Sequence, residues 1–151
     1  MTLSKKHEQE QILLGIDFGE ANIGLAFGRN ELVSPIKTLS AKDMETAINE
    51  IVNTAVHNKV SKIIMGLPLS FDKKETSESV KVRRFAKLLK VRIKRPVVLV
   101  DEYGTSLESM EESINQGIPQ KSRRKIDHMS AALILSSYYQ TANSNQNKTE
   151  V

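Results

Sequence analysis

Ile12-Leu13-Leu14-Gly15-Ile16-Asp17-Phe18-Gly19 sets one carboxylate inside an otherwise apolar run. A run of this length, apolar on both faces, reads as a central strand of a sheet. A carboxylate within it is costly unless a cation, a proton or hydrogen bonds compensate it. Asp17 therefore reads as a working residue, and Gly19 beside it lets a ligand approach the backbone closely. Two other acidic positions also border apolar segments: the Asp101-Glu102 pair closes Val97 to Val100, and Asp127 opens the stretch from Ile126 to Tyr139.

Outward from that strand, the apolar and turn signals lay out one domain. Gln11 to Phe18 and Asn22 to Phe27 read as strands, and Gly28-Arg29-Asn30 reads as a hairpin turn before a third strand at Leu32-Val33. Lys42 to Asn58 carries Met44, Ala47, Ile48, Ile51, Val52 and Ala55 at helical spacing. Ser61 to Gly66 is a short buried strand. A polar loop then leads to a helix from about Thr76 to Lys90, capped by Thr76 or Ser77, with Arg83, Lys87 and Lys90 along its polar side. Pro96 to Val100 is the next strand, Ser106 to Asn115 a helix ended by Gly117 and Pro119, and a nearly all-apolar helix follows Ser122. Three antiparallel strands followed by helix-separated strands predict an α/β fold: a ribonuclease H-like mixed five-stranded sheet flanked by helices. The domain is expected over 11–140, with a disordered N-terminus at 1–10 and a disordered tail at 141–151.

The chain of 151 residues carries a net charge of +4, and its distribution is more informative than its sum. Eight bases and no acid lie between Val80 and Val100, whereas Asp101 to Glu112 holds five acids and no base. A basic surface beside an acidic pocket suits a polyanion held against a metal site. No apolar stretch approaches the roughly 18 residues of a membrane span, and Met1 to Glu10 has no signal-like apolar region. The absence of cysteine removes disulfides, thiolate catalysis and Cys-ligated zinc, and the cytoplasm is the expected compartment.

Separated carboxylates at element ends are the donor set for hard divalent ions, Mg2+ or Mn2+, which activate water and stabilise a leaving oxygen in phosphodiester hydrolysis. Asp101 and Glu102 alternate across the pleat, so only one of them faces such a site.

Gly15-Ile16-Asp17-Phe18-Gly19 with Ile23-Gly24-Leu25-Ala26, Gly66-Leu67-Pro68-Leu69 with Asp72, Val100-Asp101-Glu102, and Ile126-Asp127 with Ala131-Ala132 and Ile134-Leu135 together resemble the YqgF/RuvX family. The resemblance implies a ribonuclease H-like fold and a nuclease linked to maturation of the 5′ end of pre-16S rRNA, also called Holliday junction resolvase-like. It implies Asp17, Glu102 and Asp127 as the metal-binding catalytic acids. Lys73, Lys74, Arg123 and Arg124 are then expected to contact phosphates of structured RNA (pre-16S rRNA, the pre-ribosome) or of branched DNA, the protein acting as a monomer or weak homodimer. The chain departs from the family in three places: Glu20-Ala21-Asn22 stands where a hydroxyl residue and a cation are usual, Tyr103 where an arginine is usual, and Ser70-Phe71 with Lys73-Lys74 where Asn-Met and a glycine are usual. An RNA-binding or ribosome-assembly factor with a weakened site is the alternative, and a sugar-kinase or actin-like ATPase the third reading. That last class needs two such domains around a nucleotide.

Overall fold

The computed structural model describes residues 11–101, 124–141 and 148–151, and only the backbone of 124–128. Glu102, Arg123 and the helix expected over Ser106 to Asn115 lie outside the described residues. The strands are β1 (Ile12–Phe18), β2 (Asn22–Arg29), β3 (Leu32–Ser40), β4 (Val60–Leu67), β5 (Val97–Asp101) and β6 (Lys148–Glu150). The helices are α1 (Met44–His57), α2 (Ser77–Ile93) and α3 (Arg124–Gln140). They form one mixed sheet of order β3-β2-β1-β4-β5-β6, antiparallel from β3 to β1 and parallel from β1 to β5.

The pleat of β1 divides the core into two layers. Leu14 and Ile16 are buried on one face with Ile48, Ile51, Phe85 and Leu89 of α1 and α2, where Phe18 stacks on Phe85 with ring centroids 4.6 Å apart. Leu13 lies on the other face with Ala26, Ile64, Val98 and Val100, under Ala131, Ile134 and Leu135 of α3. This is the α/β/α layering expected when central strands are apolar on both sides.

Thr76 caps α2. Its Oγ1 accepts from Ser79 N–H at 3.0 Å, Ser79 Oγ accepts from Thr76 N–H at 2.7 Å, and the Thr76 hydroxyl donates to Pro68 O at 2.7 Å. Because this residue both ends the β4–α2 loop and starts the helix, Thr76→Ala is expected to cost about 1.5 kcal/mol, a fall in Tm of about 4 °C. A thermal melt checks it; an unchanged Tm would mean that water replaces all three bonds.

Two features differ from the sequence reading. The hairpin turn lies at Asn30-Glu31, both with positive φ (53° and 66°), in a two-residue loop closed by the Arg29–Leu32 pair. Gly28 is a strand residue, glycine because a Cβ there would stand 2.7 Å from the Tyr139 phenol oxygen. The sheet also has six strands rather than five: Lys148–Glu150, in the segment expected to be a disordered tail, pairs antiparallel with Val98–Val100. Lys-Thr-Glu carries no apolar period, since backbone groups alone make an edge pairing. Among the described residues no helix is long and apolar enough to cross a membrane.

Candidate active site

Asp17 is the next-to-last residue of β1 and is half-buried. The pleat sends Leu14, Ile16 and Phe18 toward α1 and α2, so Leu13, Gly15 and Asp17 share the α3 face. On that face its cross-strand partner on β2 is Gly24. On β4 the pairing of Ile16 with Met65 makes Gly66 its next neighbour, again on the α3 face because Ile64 is. Asp17 thus has a glycine on either side. Neither adjacent strand therefore carries a side chain beside Asp17 on that face. A half-buried carboxylate flanked by two glycines is a hard oxygen donor of the kind a magnesium-type ion takes.

The position of α3 follows from two close approaches. A Cβ on Gly15 would lie 2.6 Å from Leu135 Cγ and 2.8 Å from the Ala131 carbonyl oxygen, so the helix rests directly on β1 there. Farther along, Tyr139 covers Gly28, which pairs with Leu13. From its N-terminus to its C-terminus α3 therefore runs from the Asp17 end of β1 toward the Leu13 end. Asp127 stands one turn before Ala131, roughly 6 Å along the helix, on the helix stripe that Ala131 and Ile134 bury. Asp17 stands two residues beyond Gly15, roughly 7 Å along the strand. Both positions advance to the same edge of the sheet, and position 127 is in the first turn of α3, where the helix dipole favours negative charge.

The other expected residues surround this edge. Asp101 ends β5 with 5% exposure, on the α1/α2 face by alternation from Val97 and Leu99, and takes an ion pair from Lys73. Lys73, read in the sequence as a phosphate contact, pairs with that carboxylate while its side chain stays 53% exposed. Lys74 reaches Asp72 at 3.3 Å with its own side chain 80% exposed, a surface pair of small value that leaves the charge available. The Ser70 hydroxyl, and after it Lys74, hold Asp72 below the usual carboxylate range. Arg124 opens α3. Among the described residues no three metal-ligating side chains cluster; of the three acids, Asp17 alone has a described side chain.

Sequence reasoning missed three arrangements. Gly24 and Gly66 stand in the motif blocks, but only strand pairing sets them beside Asp17. Glu20, which departs from the family pattern, is paired by Lys81 of α2, and its hydrogen bond and charge raise the Lys81 ammonium above its ordinary value. The basic side of α2 is also partly occupied: Arg83 binds Glu75, Arg92 binds Glu45, and Lys90 donates to Arg95 O at 3.1 Å. Of the expected Arg83, Lys87 and Lys90 stripe, Lys87 alone stays exposed.

A mixed sheet of order β3-β2-β1-β4-β5 with helices on both faces, and a half-buried acid on its central strand near the edge where the last helix begins, is a ribonuclease H-like fold. Residues 11–141 match the RuvX family, described as Holliday junction resolvase. The chain belongs to that family, and is a nuclease. It is 33% identical over 143 residues to a Chloroflexus aurantiacus protein named "Putative pre-16S rRNA nuclease", covering 93% of this chain and 94% of that one. A protein of the same name from Nitrosospira multiformis is 36% identical over 135 residues, 86% of this chain and 88% of its own. Among solved structures, Thermus thermophilus RuvC in complex with a Holliday junction superposes with a TM-score of 0.58 at 10% identity, over 89% of this chain and 97% of RuvC. The fowlpox virus resolvase bound to Holliday junction DNA gives 0.54 at 14% identity, over 89% and 100%. These two likenesses establish the fold. Family membership sets aside the kinase or ATPase reading.

Proposed function

We propose that this nuclease is a divalent-metal-dependent endonuclease of structured RNA that matures the 5′ end of pre-16S rRNA in the cytoplasm, as a monomer or weak homodimer. The observation that carries the reading is the half-buried Asp17, flanked by Gly24 and Gly66, toward which α3 advances position 127. Asp17, Glu102 and Asp127 are the residues that would hold Mg2+ or Mn2+. Of the Asp101-Glu102 pair, Glu102 is the choice that the family resemblance implies, and Asp101 itself pairs with Lys73. Bound divalent ions supply a water of lowered pKa and charge stabilisation for the leaving oxygen. The chain's own groups do the rest: the carboxylates orient what they bind, and Lys74, Arg123 and Arg124 hold flanking phosphates by charge. Water adds across one P–O ester bond, leaving a phosphate monoester on one fragment and a hydroxyl on the other. The RNA names of the curated relatives favour RNA over a branched DNA substrate.

The test is cleavage of a labelled pre-16S 5′ leader and of a four-way DNA junction with Mg2+, Mn2+ or EDTA. Metal-dependent cutting of the leader alone is the expected result. Cutting of the junction alone would move the substrate to DNA. Salt-sensitive RNA binding with no cutting of either would favour the assembly-factor reading.

A further inference from the structure

Lys62 of β4 and Lys148 of β6 stand on either side of β5, and both extend to one ring, that of Tyr138 near the end of α3. Lys62 is the cross-strand partner of Leu13, and Lys148 that of Val100, so both lie on the α3 face of the sheet, which Asp17 shares. The Lys62 ammonium donates to the Tyr138 hydroxyl at 3.3 Å and stands 5.9 Å from the ring centre. The Lys148 ammonium stands 4.4 Å from that centre and donates to Thr141 O, just past the helix. Its strand is fixed at the other end, where Val151 N–H donates to Val97 O at 2.8 Å and the Val151 side chain packs on the α1/α2 core.

One phenol thus gathers two like charges. Burial, and after it the charge of Lys62, hold the Lys148 ammonium below its ordinary value. Among the described residues no carboxylate pairs with either lysine, and Glu150, two residues along β6 on the same face, forms an ion pair with neither. An ammonium carries three donors, and each of these two has one engaged within the protein. Bringing two cations together costs free energy that an anion between them would offset.

We propose that Lys62 and Lys148, gathered by Tyr138, form a phosphate-binding site for the backbone of the nucleic acid on which this nuclease acts. Lys62 lies four residues before Gly66 on β4, roughly 13 Å along the strand from the position beside Asp17. The phosphate held there is therefore a few nucleotides from the one at the acid, and the contact fixes register without reading sequence. The site needs only the nuclease class of the chain, not the metal reading above.

The test is binding of the labelled pre-16S leader and of the four-way junction to the full chain in EDTA across salt concentrations. For the nucleic acid that the wild-type chain binds, Lys62→Gln and Lys148→Gln are each expected to lower the slope of log affinity against log salt by about 0.7 to 1, and the double variant by about twice that. Lys62→Arg and Lys148→Arg keep the charge and are expected to keep the slope, as is Lys87→Gln, which removes an exposed ammonium from α2. Misfolding lowers the fraction of protein that binds and leaves the slope of the folded fraction alone, so the slope separates a lost contact from a lost fold. Lysine side-chain NMR of the wild-type chain should show the Lys62 and Lys148 signals moving with an oligonucleotide and not with the same concentration of inorganic phosphate. A wild-type slope in the double variant, an equal fall in Lys87→Gln, saturation of the two lysines by inorganic phosphate without competition from nucleic acid, or binding of neither nucleic acid overturns the proposal. Slopes that fall as expected in a chain that cuts nothing with Mg2+ or Mn2+ would instead refute the metal reading alone.

Discussion

Asp17→Asn is expected to lower metal-dependent cleavage at least about a thousandfold, some 4 kcal/mol of transition-state stabilisation, while the fold stays intact. The substitution keeps shape and removes only charge. Asp17 is half-buried at the end of a strand whose core contacts are made by Leu14 and Ile16, so Tm should move by no more than about 3 °C. The pairing of a silent melt with lost cleavage separates a catalytic acid from a structural one. A structural aspartate would give the reverse, a lower Tm with activity scaling to the folded fraction. Cleavage within tenfold of wild type would remove Asp17 from the site.

Gly15→Ala is expected to be the most damaging small substitution in the core. In most strands the added methyl would help, since glycine pays more backbone entropy than alanine. Here it meets Leu135 Cγ at 2.6 Å and the Ala131 carbonyl at 2.8 Å, and the second of these is backbone that no rotamer change can clear. The helix itself must lift from β1. Overpacking of this kind costs up to about 3 kcal/mol, a fall in Tm of about 6–12 °C. Since α3 also brings position 127 toward Asp17, residual cleavage in the folded fraction should fall as well. A Tm equal to wild type would mean that α3 does not rest on β1 as described.

Most elements were readable because each has a local signal. Apolar runs on both faces marked β1, β4 and β5; the helical period from Met44 to Ala55 marked α1; and Thr76 marked the start of α2. Asp17 was readable as a candidate because a carboxylate inside an apolar run is costly; Glu102 and Asp127 became candidates through the family resemblance. What was misread or missed shares one cause, partners distant in sequence. Gly28 looked like a turn glycine until Tyr139 was found packed on it, more than a hundred residues away. The ion pair of Lys73 was not readable because its partner Asp101 comes 28 residues later. The pairs of Arg83 with Glu75 and of Arg92 with Glu45 were likewise not written in any local signal.

The sequence by itself determined the class of fold, the family and the acids to test, since periodicity, caps and buried charge are properties of short segments and act wherever the chain goes. Only the tertiary structure decided that Asp17 sits between two glycines, that α3 runs antiparallel to β1 so that position 127 advances with it, that Lys73 answers Asp101, and that Lys148–Glu150 closes the sheet edge. Each of these is a register or a long-range pairing, selected by the packing of the whole sheet and helix layer, and the local chain carries no free-energy preference that distinguishes it from its neighbours.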